Sequence, residues 1–128
     1  MTDAVFDTTV FIDYYTGHTG ADRLFADVFE WRLIAAFSPI TVYELWSRPL
    51  GCDEEVMLRF LLLEVSEEPF LAEHAMTVGI WLRGLTRQQR LRYAADAMTA
   101  ATAERLGATI YTRNPRDFAR LQVDVQSY

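Results

Sequence analysis

The sequence contains no lysine, so all twelve of its basic residues are arginines, against eighteen acidic residues. The formal net charge of −6 is unusual for a protein that binds nucleic acid, because such proteins generally present a basic surface. Arginine nevertheless suits bidentate contacts with phosphate, and two bound divalent cations would bring the formal charge from −6 to −2. The charge alone therefore does not exclude a nucleic-acid partner.

Cysteine and long apolar runs are scarce as well. The single cysteine, Cys52, excludes an internal disulfide, and with only two histidines the chain cannot build a usual structural zinc site. The longest apolar run ends at Glu64 and falls well short of the roughly 20 residues that span a bilayer. The first residues lack the basic start and apolar stretch of a signal peptide. We expect a cytoplasmic protein without a membrane segment, in which residues 1–128 form one domain.

Short apolar segments alternate with amphipathic ones along the chain. The predicted strands are 4–6, 33–37, 63–65, 108–112 and 123–125. The predicted helices are 8–15, 21–31, 41–48, one from about 53, 69–85 and 93–106, with residues 18–20 as a loop. This alternation predicts an α/β fold with three layers, α/β/α, around a mostly parallel sheet of about four to five short strands. In such a sheet, functional residues gather at the carboxyl ends of the strands.

Acidic and amide side chains lie near several of these strand ends. Asp7 follows the first strand, Glu44 lies one turn into the helix after the second, and Asn114 and Asp117 follow the strand 108–112. Asp7 and Asp117 could simply cap helices, and Glu44 could be a solvated helix residue. Asp96 is harder to explain in this way. We expect it in the first turns of an alanine-rich helix, where an ionised carboxylate without a partner is costly.

Mutual repulsion suggests what these carboxylates do. Two carboxylates about 4 Å apart repel by roughly 4 kcal/mol at an effective dielectric constant of 20. A cluster of three or four would protonate or destabilise the fold unless a cation lies among them. Oxygen ligands of this kind select Mg²⁺ or Mn²⁺, which retain several waters and so leave positions open for a phosphate oxygen and an attacking water.

Four stretches together resemble the PIN-domain nucleases and, among them, the VapC-type toxins of toxin–antitoxin pairs. They are FDTTVFID at 6–13, SPITVYEL at 38–45, AADAMTAATA at 94–103 and GATIYTRNPRDF at 107–118. The resemblance covers essentially the whole chain. It implies a PIN-like α/β/α fold and an endoribonuclease that uses Mg²⁺ or Mn²⁺ to activate water, leaving a 5′-phosphate and a 3′-hydroxyl.

The resemblance also implies roles for individual residues. Asp7, Glu44 and Asp96 match the three acidic metal ligands, and Thr112 matches a hydroxyl that steadies the site. The fourth ligand position stays open between Asn114 and Asp117, with Asp117 supplying charge and Asn114 a neutral ligand or a water contact.

Residues beside these motifs have more than one interpretation. Arg113 and Arg116 are candidates for contacts with RNA phosphates, although both could be solvated surface arginines. Asp13 could line the rim of the site or face water. The small hydroxyl residue Thr8 beside the first aspartate matches the family pattern. Thr9 departs mildly from it, because relatives often carry Asn or Ser there.

The resemblance further implies a homodimer and a VapB-like antitoxin that occupies a groove on each subunit. The apolar runs 42–46 and 60–62 provide more apolar surface than a small core needs, and we expect them to contribute to these contacts. A catalytically silent PIN-like protein that acts only by binding a partner or nucleic acid is the alternative. A haloacid-dehalogenase-type phosphatase is disfavoured because Thr9 occupies the position of its second aspartate, and a receiver domain because lysine is absent.

Overall fold

The computed structural model describes residues 1–128 and contains one five-stranded parallel sheet in the order β3–β2–β1–β4–β5. The strands are β1 (Ala4–Phe6), β2 (Ala35–Phe37), β3 (Ser66–Glu67), β4 (Thr109–Tyr111) and β5 (Val125–Gln126). The helices are α1 (Thr8–Tyr15), α2 (Thr19–Phe29), α3 (Pro39–Trp46), α4 (Cys52–Glu64), α5 (Ala72–Leu82) and α6 (Arg87–Leu106). The predicted PIN-like α/β/α fold is confirmed, and the sheet is parallel throughout. No helix has both the length and the apolar character needed to cross a membrane.

The sheet separates two apolar cores, and the central strand β1 contributes to both. Ala4 and Phe6 belong to the core that includes residues of α1, α2 and α4, whereas Val5 belongs to the core beneath α5 and α6. Successive side chains of a strand point to opposite faces, so a strand with helices on both sides is apolar at every position. This explains why the sequence of β1 is a continuous apolar run.

Several predicted boundaries were wrong. Residues 18–20 do not form a loop, because His18 caps α2 through its ring nitrogen, which accepts from the Gly20 amide at 3.1 Å. In the predicted strand 63–65, Leu63 and Glu64 instead end α4 and Val65 is its extended C-cap residue, and β3 begins at Ser66. The second and fifth strands are shorter than predicted or shifted, at Ala35–Phe37 and Val125–Gln126.

The helices also differ from the predictions in where they begin or end. Helix α3 begins at Pro39 and ends at Trp46, and α5 covers Ala72–Leu82 rather than 69–85. The largest difference concerns α6, which begins at Arg87 instead of residue 93. Thr86 and Gln89 form a reciprocal capping box there, which satisfies two backbone groups that the helix would otherwise leave unpaired.

Helix α4 turns an apolar face to the solvent. Val56, Phe60 and Leu63 are 69%, 47% and 85% exposed, while Leu58 and Leu61 bind the helix to the core. Within the apolar runs 42–46 and 60–62, which we expect to contribute to partner contacts, Leu45 of α3 and Leu61 are instead buried in the core. The remaining apolar side chains of these runs are half-buried or exposed.

Candidate active site

Strand register brings Asp7 and Thr112 together. Phe6 of β1 lies opposite Tyr111 of β4, and the residue after each strand continues at the same edge of the sheet. The Asp7 amide donates to the Tyr111 carbonyl at 3.1 Å, and the Thr112 hydroxyl donates to Asp7 Oδ2 at 2.9 Å. Asp7 occupies the N-cap position of α1, but its side chain does not cap that helix. Its carboxylate is therefore oriented by Thr112.

Glu44 reaches the same edge from α3. The Ser38 side chain caps that helix by accepting from the Ile40 amide at 3.2 Å, so α3 starts directly after β2. The Thr8 hydroxyl, next to Asp7 in sequence, donates to Glu44 Oε1 at 2.6 Å. At the start of α1, the Asp7 side chain therefore contacts Thr112 and the adjacent Thr8 side chain contacts Glu44. The hydroxyl expected at position 8 makes a specific contact.

Asp96 lies in the interior of α6 and not in its first turns as predicted, because the helix begins nine residues earlier, at Arg87. Its half-buried side chain forms no ion pair and accepts no hydrogen bond from any residue of the chain. Helix α6 packs against both α3 and β1, the elements that carry or precede Glu44 and Asp7. Asp96 is therefore a carboxylate without a protein partner in the neighbourhood of two others.

Burial and neighbouring negative charges raise the pKa of two of these carboxylates, Asp7 and Asp96. Burial raises the pKa of Asp7 to about 6, and the charges of Glu44 and Asp117 add to this effect, although hydrogen bonds from Thr112 and the Thr8 amide oppose it. Burial also raises the pKa of Asp96 to about 7, followed in size by the charges of Asp7, Asp117 and Glu44. Four carboxylates thus share one electrostatic environment.

The last predicted motif is placed at the periphery of this site. Asp117 lies in a 3₁₀ turn (Pro115–Phe118) and is exposed, yet its charge raises the pKa of both Asp7 and Asp96. Asn114 is exposed as well, and only its backbone amide takes part, donating to Thr112 Oγ1 at 3.1 Å. Of the two candidates for the fourth position, Asp117 is the one whose charge reaches the buried carboxylates.

The donor set fits a hard divalent cation, although no three acidic, histidine or cysteine side chains are placed so that they alone could hold a metal ion. Mg²⁺ does not require such a cage, because it commonly binds through one or two carboxylates and keeps several waters. The arginines that form ion pairs have Asp13, Asp27 and four glutamates other than Glu44 as partners, so none neutralises the four carboxylates. No side chain of the protein therefore compensates the negative charge of this site.

Asp13 differs from both interpretations considered for it, because it neither lines an open rim nor faces water. It is 1% exposed and accepts from Arg113 Nη1 at 2.7 Å and from the Tyr128 hydroxyl at 2.7 Å. The Arg113 amide in turn donates to Thr9 Oγ1 at 3.0 Å. Arg113 is therefore held by a buried carboxylate, whereas Arg116 is exposed and forms no ion pair. Tyr128 was not anticipated, since no local pattern relates it to residue 13.

Comparisons with known proteins agree with this geometry. The sequence profile of the PIN domain matches residues 4–123. The fold is similar to a chain of a toxin–antitoxin complex from Klebsiella pneumoniae, with 25% identity, a TM-score of 0.71 and coverage of 97% of this chain and 96% of that one. It is also similar to a chain of VapBC2 from Rickettsia felis bound to a promoter DNA fragment, with 16% identity, a TM-score of 0.74 and coverage of 99% of both chains. A third similar chain belongs to VapBC-1 from nontypeable Haemophilus influenzae, with 20% identity, a TM-score of 0.74 and coverage of 98% of both chains. The search of curated protein sequences found no match. With 120 of its residues matched in order, the chain belongs to the PIN domain family.

Proposed function

We propose that this chain is an Mg²⁺- or Mn²⁺-dependent endoribonuclease and the toxin of a VapBC-type toxin–antitoxin module, with residues 1–128 forming one cytoplasmic nuclease domain. The observation that carries the proposal is the group of four carboxylates from Asp7, Glu44, Asp96 and Asp117, none of which has an arginine partner. Within this group the charges of Glu44 and Asp117 add to the raised pKa of Asp7, and the charges of the other three add to the raised pKa of Asp96. Membership of the PIN family and similarity to chains of toxin–antitoxin complexes support it.

Asp7, Glu44 and Asp96 are the residues that would hold the metal, with Asp117 contributing charge at the rim. A divalent ion bound there would activate a water for in-line attack on the phosphodiester and stabilise the charge that develops on the phosphate oxygens.

The chain itself provides orientation and exclusion of water. Thr112 and Thr8 donate to Asp7 and Glu44, which fixes the direction of both carboxylates before a ligand arrives. Asp7 is 7% exposed, so it lies in a medium of low dielectric constant where a charge interacts strongly with its neighbours. Because no arginine pairs with these carboxylates, their negative charge remains available to attract a cation.

Cleavage of a short single-stranded RNA after removal of metal with EDTA tests the proposal. Wild-type protein should be inactive until Mg²⁺ or Mn²⁺ is added, and products should carry a 5′-phosphate. Asp96→Asn should lower the cleavage rate by about 100-fold or more, because it removes a ligand from the metal. Comparison with cleavage of a DNA oligonucleotide of the same sequence shows whether the reaction requires the 2′-hydroxyl of RNA.

Asp22→Asn is the matched control, because Asp22 is an exposed aspartate of α2 away from the sheet edge and the substitution changes the same functional group. It should leave cleavage unchanged. Cleavage that persists in EDTA, or that Asp96→Asn retains, contradicts the proposal. Absence of Mg²⁺ binding in calorimetry together with absence of cleavage indicates instead a silent member of the family that acts only by binding.

The exposed apolar surface of α3 and α4 supports the proposed partners, a second copy of the chain and a VapB-like antitoxin. One open groove is lined mainly by Phe37, Val42, Trp46, Leu62 and Leu63. A second is lined by Tyr14, Asp53, Val56, Met57 and Phe60. Exposed apolar areas of this kind commonly mark protein interfaces. Analytical ultracentrifugation that shows a strict monomer at micromolar concentration contradicts the homodimer.

A further inference from the structure

The arginines of this acidic chain are unevenly distributed. Between Glu73 and Asp96 the sequence carries four arginines and no acidic residue, although the whole chain has a formal charge of −6. This segment comprises most of α5, the following loop and the first half of α6. A local excess of positive charge thus lies immediately before the helical position of Asp96.

Ion pairing divides the arginines into two groups. Five of them form ion pairs with acidic side chains: Arg32, Arg48, Arg59, Arg105 and Arg113. Those without an ion pair are, apart from Arg23 of α2, found in the segment before Asp96 and around the 3₁₀ turn: Arg83, Arg87, Arg90, Arg92, Arg116 and Arg120. All six are exposed. The unpaired arginines of the chain therefore concentrate in the two segments that precede Asp96 and surround Asp117 in sequence.

Two of these arginines meet on one aromatic ring. The guanidinium carbon of Arg120 lies 4.1 Å from the centre of the Tyr93 ring, and that of Arg92 lies 5.6 Å from it. Contacts between α6 and the 3₁₀ turn hold the two segments together. An arginine on an aromatic face keeps its planar fork available for phosphate, and its own face can stack on a base. The three side chains form a preformed cationic and aromatic cluster.

This cluster adjoins the carboxylates without neutralising them. Arg92 precedes Asp96 by four residues, one turn of helix, and Arg120 follows Asp117 by three. Neither arginine forms an ion pair with either aspartate. The four-residue spacing of Arg92 and Asp96 on α6 would allow an ion pair, yet none forms, so Arg92 does not compensate this carboxylate. The arginines are instead directed to Tyr93 and to solvent.

We propose that Arg92, Tyr93 and Arg120 form a subsite for single-stranded RNA, in which the arginines bind the phosphates next to the scissile one and the exposed edge of the cluster stacks on a base. Charge complementarity selects this ligand, because the neighbouring carboxylates repel a phosphate backbone unless cationic groups lie along its path. The proposal rests on the proposed nuclease function, whose site it extends by one turn of α6.

Fluorescence anisotropy with a labelled single-stranded RNA tests the subsite independently of cleavage. Binding is measured in Mg²⁺ with Asp96→Asn, which keeps the RNA intact, and with the same protein carrying Arg92→Ala and Arg120→Ala. The two substitutions together should weaken binding by at least about tenfold and reduce the slope of log affinity against log salt by about 1.4, since each of the two lost phosphate contacts to a single strand removes about 0.7.

Arg23→Ala is the control, because Arg23 is likewise exposed and unpaired but lies on α2, which packs against α1. It should change affinity less than twofold. In the otherwise wild-type protein, the paired substitutions should raise KM for cleavage and leave kcat within about twofold. Equal affinities for the Arg92/Arg120 variant and the Arg23 variant overturn the subsite. If the wild type does not cleave RNA but affinity still depends on Arg92 and Arg120, the nuclease assignment fails and the binding site remains.

Discussion

Asp13 and Asp7 are both buried aspartates at opposite ends of the same short helix, yet the chain treats them in opposite ways. Asp13 receives an arginine and a tyrosine hydroxyl, both at 2.7 Å. Asp7 receives a threonine hydroxyl and a backbone amide but no cation, and burial raises its pKa to about 6. Asp96, on α6, has no protein partner and a pKa raised to about 7.

This difference separates a carboxylate that the protein compensates from carboxylates that it leaves uncompensated. A buried charge is tolerated when a partner compensates its lost hydration, as Arg113 does for Asp13. Compensation of Asp7 and Asp96 was available, because exposed unpaired arginines lie within a few residues of Asp96 and Asp117 in sequence. The chain instead leaves these acids without a cationic partner, which costs stability. Under the proposed function, this uncompensated charge would provide affinity for a divalent cation.

The largest expected effect on stability comes from replacing the compensated aspartate. Asp13→Ala leaves the Tyr128 hydroxyl without its acceptor and removes the partner of Arg113, so we expect the free energy of unfolding to fall by about 3 kcal/mol. The loss stays near the lower end of the range for buried pairs because Arg113 is half-exposed and regains water. Urea denaturation in EDTA measures it.

Asp96→Ala is the matched substitution at the uncompensated position. Since Asp96 has no partner to lose, it should leave the metal-free protein as stable as the wild type or more stable. Equal destabilisation by the two alanine substitutions contradicts the distinction between the two kinds of carboxylate.

The elements of the fold could largely be predicted from the sequence, because each buried strand is a short apolar run between helical segments. The predicted ends of helices were wrong where a polar side chain caps the helix. The early start of α6 depends on the Thr86–Gln89 capping box, a signal that was present in the sequence and could have been used. The exposed face of α4 could be recognised only in part. Apolar surface was expected at 60–62, where Phe60 is exposed, but the apolar spacing of Val56, Phe60 and Leu63 is also that of a core-facing helix.

The candidate site, like the fold, could be predicted from the sequence only in part. The carboxyl ends of parallel strands meet at one edge, so Asp7 and Thr112 could be assigned to the same place. The network of Asp13, Arg113 and Tyr128 joins residues 100 and 115 positions apart, and only the folded chain brings them into contact. No local rule of sequence predicts such contacts.

A smaller effect is expected from the pH dependence of Asp7. Its folded pKa of about 6 exceeds the ordinary value of 3.8, so the folded protein binds more protons than the unfolded chain and loses stability as the pH rises through this interval. Asp7→Asn cannot titrate there and still accepts from Thr112. Between pH 4 and pH 8, its stability relative to wild type should therefore increase by about 2 kcal/mol, because a shift of one unit is worth about 1.4 kcal/mol.

Urea denaturation in EDTA at both pH values measures this difference. The substitution also removes the Asp7 charge that helps to raise the pKa of Asp96, and this contribution acts in the same direction. Addition of Mg²⁺ at pH 8 should reverse the order by stabilising only the wild type, through mass action on the folded state. A constant difference between the two proteins at all pH values contradicts the raised pKa.

The smallest effect concerns Tyr128, whose hydroxyl contacts Asp13 at 2.7 Å and Thr9 Oγ1 at 3.4 Å. Tyr128→Phe removes the hydroxyl but keeps the ring beside His18. Since Asp13 retains Arg113, the free energy of unfolding should fall by only about 1 kcal/mol. The sum of the effects of Tyr128→Phe and Asp13→Ala should exceed that of the double variant, because both remove the same hydrogen bond. Strict additivity would show that the Tyr128 hydroxyl acts through Thr9 or the solvent and does not compensate Asp13.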